Sequence, residues 1–396
     1  LSPVTRTGRG VPQSDRAGDA RTVWTVTAAH FLNDFFLSFL GPLLPLVVQT
    51  FDLSLALAGF LATTLTTSSA LSQPLFGALA DRLRRPVFVV LGPALSVAAM
   101  GLVGLAPGYG VLLVLLLVAG TGTASFHPQG AAAAGGAALR RRGAALSVFV
   151  AGGELGYAVG PLAIAAAVSA WGLRSTAALA AAGLLACGLL ARSLPGRRTS
   201  AADPPPARTG PARVAGPLVL LWLVVVLRSI LITAYQTFLP LLLHQRGGSL
   251  VAGGAAVCAF GGVGALGGIS GGLLADRIGR RRTLVLSLVV PVPLLLLFLL
   301  TPGPWSYVWL AAGGAALYLS AAVTIVMAQE LLPRRAGVAS SIVMGLAWGT
   351  AGLSLTGVGA LADAVGLDRA LAGLLALVVP ALVAVAGLPR RPGSPP

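Results

Sequence analysis

A chain of 396 residues that is 56% hydrophobic, only 10% charged and of mean hydropathy +0.89 has too few polar side chains to coat a water-soluble globule and too many apolar ones to stay disordered. Its 27 basic residues, all arginine, exceed the acidic ones by 16, but they are scattered between apolar blocks rather than gathered on one face, which argues against nucleic acid as a partner. What remains is an integral membrane protein.

In chain order, residues 1–21 are a polar, basic tail containing Gly and Pro, read as cytoplasmic. Blocks with about 20 mostly apolar residues, enough to cross the hydrocarbon as helix, follow at 22–50, 53–80, 86–106, 108–138, 143–170 and 173–193. The first is no signal peptide, since it is too long and carries His30, Asn33 and Asp34. Residues 194–216 are the extended Pro-rich polar stretch, a semi-rigid cytoplasmic linker. Six further blocks run 217–244, 250–275, 283–301, 304–332, 337–362 and 369–389, and 390–396 form a short tail. The reading is therefore all-α, with two six-helix bundles at 22–193 and 217–389. Cys187 and Cys258 sit inside apolar runs without ligand spacing and read as small hydrophobes.

Placing alternate loops on one side puts 23 arginines there and 3 on the other, with Arg228 inside a span. That asymmetry sets both termini in the cytoplasm and supports an even number of spans. The halves also repeat. FGALADRLRRP at 76–86 matches GGLLADRIGRRRTL at 271–284, and LLPLV around Pro45 matches FLPLL around Pro240, both at an offset of 195 residues. Parallel repeats of this kind pack about an axis normal to the membrane, with a cavity at their interface.

On these motifs the chain resembles the major facilitator superfamily. AHFLNDFF at 29–36, GTGTASFHPQGA at 120–131 and MAQELLPRRAGVASSIVMGLAWGTAGL at 327–353 further resemble its fosmidomycin-resistance branch of drug exporters. The first loop copy departs by carrying Arg84 where the glycine usually falls. The resemblance implies a fold of twelve helices in two pseudo-symmetric halves, a bacterial cytoplasmic membrane, a monomer, and alternating access driven by a proton gradient with no cofactor. It also implies gating by Asp81 with Arg82 and by Asp276 with Arg277. The physical basis would be an aspartate at one helix end facing the positive N-terminus of a neighbour. GGELGYAVGP at 152–161 resembles the antiporter motif of the fifth span through Gly156, Gly160 and Pro161. The glycine spacing allows close helix contact, and the proline bends the helix.

Ionisable groups inside apolar spans are candidates for function. His30 and Asp34 are four residues apart and share a helical face, with Asn33 beside them, so that face is expected to look into the cavity. Asp34 or Glu154 is the expected proton-coupling carboxylate. Arg228 neutralises one of them or binds an anionic substrate group. His127, next to Pro128 in the fourth span, either titrates or is a packed histidine satisfied by the backbone that the proline frees. Tyr235 lies seven residues from Arg228 on its face, with Gln236 adjacent, and both can orient a substrate. Trp348 and Phe126 are candidates for the cavity wall, Phe126 more as core, and His244 reads as a solvated loop residue. The histidine separations suggest no metal site. With no metal motif, nucleophile–base pair or phosphate loop, an enzyme is not expected. The expectation is a proton-coupled exporter of small amphipathic or anionic drug-like molecules. A proton symporter for an organic acid or sugar-like nutrient is the alternative, with a lipid scramblase or membrane enzyme more distant.

Overall fold

A computed structural model describes residues 13–82, 86–137, 142–194, 212–332 and 336–389. The linker core, both chain ends and the side chains of Asp81 and Arg82 lie outside the described residues. Twelve helices are long and apolar enough to cross a membrane. They are α1 (Ala20–Phe51), α2 (Leu55–Ala80), α3 (Val87–Leu105), α4 (Tyr109–Ala137), α5 (Ala145–Trp171), α6 (Ser175–Ser193), α7 (Ala215–Gln245), α8 (Leu250–Ile278), α9 (Arg280–Leu300), α10 (Trp305–Leu331), α11 (Val338–Val365) and α12 (Leu367–Ala386). Helix is the form that satisfies every backbone group within one segment, as lipid requires.

The two halves pack alike. In the first, α1 lies against α5 and α2 against α4; in the second, α7 lies against α11 and α8 against α10. The 195-residue offset is visible as contact. Gln49 and His244, equivalent positions in α1 and α7, hydrogen-bond to each other at 2.9 Å. Gly41 likewise faces the carbonyl of its equivalent Gln236, where a Cβ would come to 3.0 Å.

Between the halves α2 packs on α11 and α5 on α8, tightly at the end remote from the chain termini. There a Cβ on Gly59 would meet the Leu355 carbonyl at 2.3 Å, and one on Gly254 would meet the Pro161 carbonyl at 2.5 Å, so only glycine permits the approach. Thr63 donates to the Gly352 carbonyl at 2.9 Å, and Asp363 accepts the backbone N–H groups of Leu55 and Ala56 at 2.8 Å each. Toward the termini the halves part. On the face of α8 that carries Gly254, Gly262 approaches Ala158 only at 3.7 Å and a Cβ on Gly272 would meet nothing within 4 Å, while α2 and α11 stay close as far as Gly349, where a Cβ would meet Ala70 at 2.4 Å.

Several helices are broken where the site forms. Pro42 cannot donate to the Ser38 carbonyl, and α1 turns at Ser38–Phe39, one turn beyond Asp34. Helix α10 breaks at Leu319–Ser320, and α11 carries a π-helical turn, Ile342–Leu346, just before Trp348.

Candidate functional site

The polar face expected on α1 closes on residues from two other helices. His30 Nε2 lies 3.3 Å from Asp34 Oδ2 on the same face, and His127 of α4 brings its Nε2 to 3.8 Å from Asp34 Oδ1 and 3.1 Å from His30 Nε2. Asn33, fully buried, donates to Asp34 Oδ1 at 2.8 Å. Its own Oδ1 accepts from Thr123 at 3.4 Å, and the Thr123 and Ser96 hydroxyls are 3.0 Å apart. A hydrogen-bonded chain therefore runs from α3 through α4 to the carboxylate.

Aromatic packing fixes the His30 ring. It stacks on Phe149 with centroids 4.2 Å apart and tilts against Phe126 at 5.5 Å. Gly153 of α5 completes the slot, since a Cβ there would fall 2.4 Å from His30 Nε2. The rest of the α5 glycine stripe carries the helix onto α1: Gly156 abuts the Phe31 carbonyl, and Gly160 abuts the Phe35 carbonyl and the Ser38 hydroxyl. Pro161 turns its carbonyl to Gly254 of the other half. Phe126 belongs to the small apolar cluster behind the histidines.

The trio His30, Asp34 and His127, with one ring nitrogen or carboxylate oxygen from each within 4.8 Å of the others, is a grouping that the sequence separations did not suggest. His127 also settles between its two sequence readings differently: its Nδ1 bonds to the Thr123 carbonyl at 2.9 Å, not to the backbone that Pro128 frees. His244 pairs with Gln49 across the gap rather than being merely solvated.

In the other half Arg228 is 3% exposed and donates to Ser320 at 2.6 Å, while its Nε has no partner. Among the described residues no carboxylate reaches it, so the expectation that it neutralises Asp34 or Glu154 is not met. Tyr235 is a second correction. It is fully buried in the second half, stacked on Phe260 with its hydroxyl unpartnered, because the face it shares with Arg228 turns into the core at that depth. Gln236 instead donates to the Tyr318 hydroxyl at 3.2 Å. Tyr318 is within electrostatic reach of Arg228 on its own side and of Glu154 and Tyr157 across the gap. Glu154 is exposed and also within reach of His30 and Asp34, so it stands between the two sites. Tyr157, Tyr318 and Ser320 were not picked out from the sequence; none is charged, and nothing in an apolar run marks them. Trp348 is half-buried against the main core.

Asp276 and Arg277 end α8 on the surface and make no ion pair among the described residues. The polar ties at this loop come from its neighbours: Arg280 pairs with Glu330, and Arg281 donates to the Ala386 carbonyl at 2.9 Å. Arg280 and Arg281, together with Arg282, Met327 and Leu388, line an open groove of about 1020 Å³.

A duplicated twelve-helix body matches the family model of the Major Facilitator Superfamily over residues 26–357. The chain belongs to that superfamily. It is 28% identical over 346 residues to the fosmidomycin resistance protein of Escherichia coli K12, covering 85% of each chain. It is 29% identical over 379 residues to the MFS-type transporter YfnC of Bacillus subtilis, covering 91% of this chain and 88% of that one. Among solved structures it superposes on a bacterial homologue of the human lysosomal transporter Spinster, in an inward-facing and unoccupied conformation. The TM-score is 0.82 at 16% identity, over 98% of this chain and 100% of the other. The nucleoside transporter NupG gives 0.71 at 14%, over 93% and 98%. These likenesses show the fold. The superfamily member is thus a multi-pass membrane transporter of small molecules, not an enzyme.

Proposed function

We propose that this transporter exports small amphipathic or anionic drug-like molecules in exchange for protons. The observation that carries the reading is a pair of unlike sites with Glu154 within electrostatic reach of both: a half-buried imidazole–carboxylate cluster in the first half, and in the second a buried guanidinium without a carboxylate partner among the described residues, beside Tyr318. The first holds protons; the second, with Ser320, Gln236 and Tyr318, offers donors to an anionic head group. Resemblance to a protein named for fosmidomycin resistance supports a drug as cargo.

The arginine distribution supports termini in the cytoplasm; on that reading the tightly packed end is the outer one and this conformation is inward-facing. Cargo enters from the cytoplasm between Arg228 and Glu154. Reorientation opens the outer end, and a proton arriving there displaces the cargo's polar end from Glu154. The protonated carrier returns and gives up its proton inside.

Everted membrane vesicles test this with fosmidomycin as the first probe. An acid lumen should drive accumulation, and collapsing the gradient with nigericin should abolish it. Accumulation that ignores the gradient, or runs only in the opposite direction, would refute proton-driven export. One observation favours a second reading for some substrates: an anion on Arg228 and a proton nearby attract one another, as symport requires.

A further inference from the structure

Resting on the reading of this cluster as the proton site, its hydrogen bonds also say how many protons it holds. His30 Nδ1 lies 2.7 Å from the carbonyl oxygen of Phe149, and His127 Nδ1 lies 2.9 Å from that of Thr123. A carbonyl oxygen only accepts, so both Nδ1 atoms carry hydrogen. Each neutral ring then presents a bare lone pair at Nε2. The two Nε2 atoms face each other at 3.1 Å, a hydrogen-bond distance at which two lone pairs repel and one N–H···N bond fits.

The His30 ring does not escape by turning over. His30 is clamped between Phe149, Phe126 and Gly153, and a flip would put a carbon against the Phe149 carbonyl. Asp34 Oδ2 stands 3.3 Å from His30 Nε2, and Asn33 steadies the other oxygen.

We infer that His30 and His127 share a single proton between their Nε2 atoms, balanced by the Asp34 carboxylate, and bind and release it as one unit. One proton makes the trio neutral. A second would bring two imidazolium charges into contact, and none leaves a net negative charge with two opposed lone pairs. The charged and titratable groups facing the pair are Asp34 from α1 and Glu154 from α5, while Tyr157 of α5 interacts with Asp34. Both carboxylates favour the protonated pair. Release of the proton removes one of the two side-chain bonds given for α1 and α4 here, leaving the longer Thr123–Asn33 bond, so occupancy is transmitted to helix packing.

The chain has 3 histidines, so ¹⁵N-histidine labelling of a His244→Gln background in nanodiscs leaves only this pair to observe. Across a pH titration both Nδ1 atoms should remain protonated, and both Nε2 signals should move together with a single midpoint and a total of one proton. In His127→Asn, with its fold checked by an unchanged Tm, His30 should titrate alone at a displaced midpoint. Two separate midpoints that sum to two protons would overturn the inference, as would a bare Nδ1 in either ring. Signals that move only with added Zn²⁺ and revert with EDTA would overturn it too, by giving the trio to a metal. No cargo or gradient enters this measurement, so its failure is distinct from a failure of transport.

Discussion

One contact that holds the halves together at their remote end is a helix cap supplied by the opposite bundle. Asp363, near the end of α11, accepts the Leu55 and Ala56 N–H groups, while Ser54 accepts Leu57 N–H at 3.2 Å. Three of the four orphan donors of α2 are thereby met, two of them across the gap. Asp363→Asn keeps the shape but removes the charge and turns an amide N–H₂ toward one of the donors. A hydrogen bond to a charged group contributes about 1.5–3 kcal/mol, and the helix-dipole attraction at an exposed site adds roughly 0.3–1. Because Asp363 is exposed and screened, the net loss is about 2 kcal/mol, which lowers the ratio of closed to open at this end roughly 30-fold. Spin labels at Leu57 and Leu361, in a background lacking Cys187 and Cys258, report that separation by double electron–electron resonance. The longer-distance population should grow in Asp363→Asn while Tm hardly moves, because Thr63 and its partners still bind α11. A distance distribution matching that of the parent would refute the latch.

Further expectations concern the site itself. Asp34→Asn and Glu154→Gln should both fold, and at least one should lose gradient-driven transport in proteoliposomes; full transport by both would reject these carboxylates as proton carriers. Arg228→Ala should weaken binding of an anionic cargo roughly 10- to 150-fold, the equivalent of one charge-assisted contact of about 1.5–3 kcal/mol, and Arg228→Lys should recover little of it because the planar fork is lost. Equal affinities by calorimetry would remove Arg228 from the cargo site. Gly153→Ala should push the His30 ring from its slot at a cost of about 1–3 kcal/mol, seen as a lowered Tm, whereas Gly262→Ala, with its nearest neighbour at 3.7 Å, should be silent.

How much of this was legible in the sequence follows from what one strand of symbols constrains. The twelve spans were plain because lipid tolerates little but apolar helix, and each observed helix overlaps its expected block. The join of His30 and Asp34 was legible because a four-residue spacing fixes neighbours on one helix. Their meeting with His127, 97 residues on, was not, because spacing says nothing of how a second helix is rotated against the first. Gly153 was the available signal, a small residue on the face of α5 that receives an imidazole, but it was lost among 52 glycines. The loop-motif aspartates show the same limit. The expectation set Asp81 and Asp276 against a neighbour's N-terminus; the Asp81 side chain lies outside the described residues and Asp276 ends α8 on the surface, whereas Asp363, at the opposite end from the loop motifs, accepts the N-terminal N–H groups of α2. Asp363 sits where an apolar block ends and looks like any solvated loop acid.

The repeat makes a last point about coupling. Asn33 and Arg228 are equivalent positions under the 195-residue offset, as are Thr123 with Tyr318 and Ser125 with Ser320. One backbone frame is filled with a carboxylate and imidazoles in one half and with a donor-rich cationic site in the other. Exchange demands that proton and cargo exclude one another, yet an anion held at Arg228 raises the affinity for a proton nearby. Exclusion therefore has to come from direct overlap at Glu154, the acid exposed between the two sites: ionised, it accepts a charge-assisted hydrogen bond from the cargo; protonated, it keeps only a neutral, weaker acceptor and turns an O–H toward the cargo's donor. Under the proposed exchange, a cargo with an anionic head and a hydrogen-bond donor at its far end should bind more tightly as pH rises. A plain anion without the donor should bind more tightly as pH falls, and Glu154→Gln should abolish the first trend while leaving the second. Calorimetric titrations of the two ligand types between pH 5.5 and 8 decide it, and identical pH trends for both would sink the overlap model.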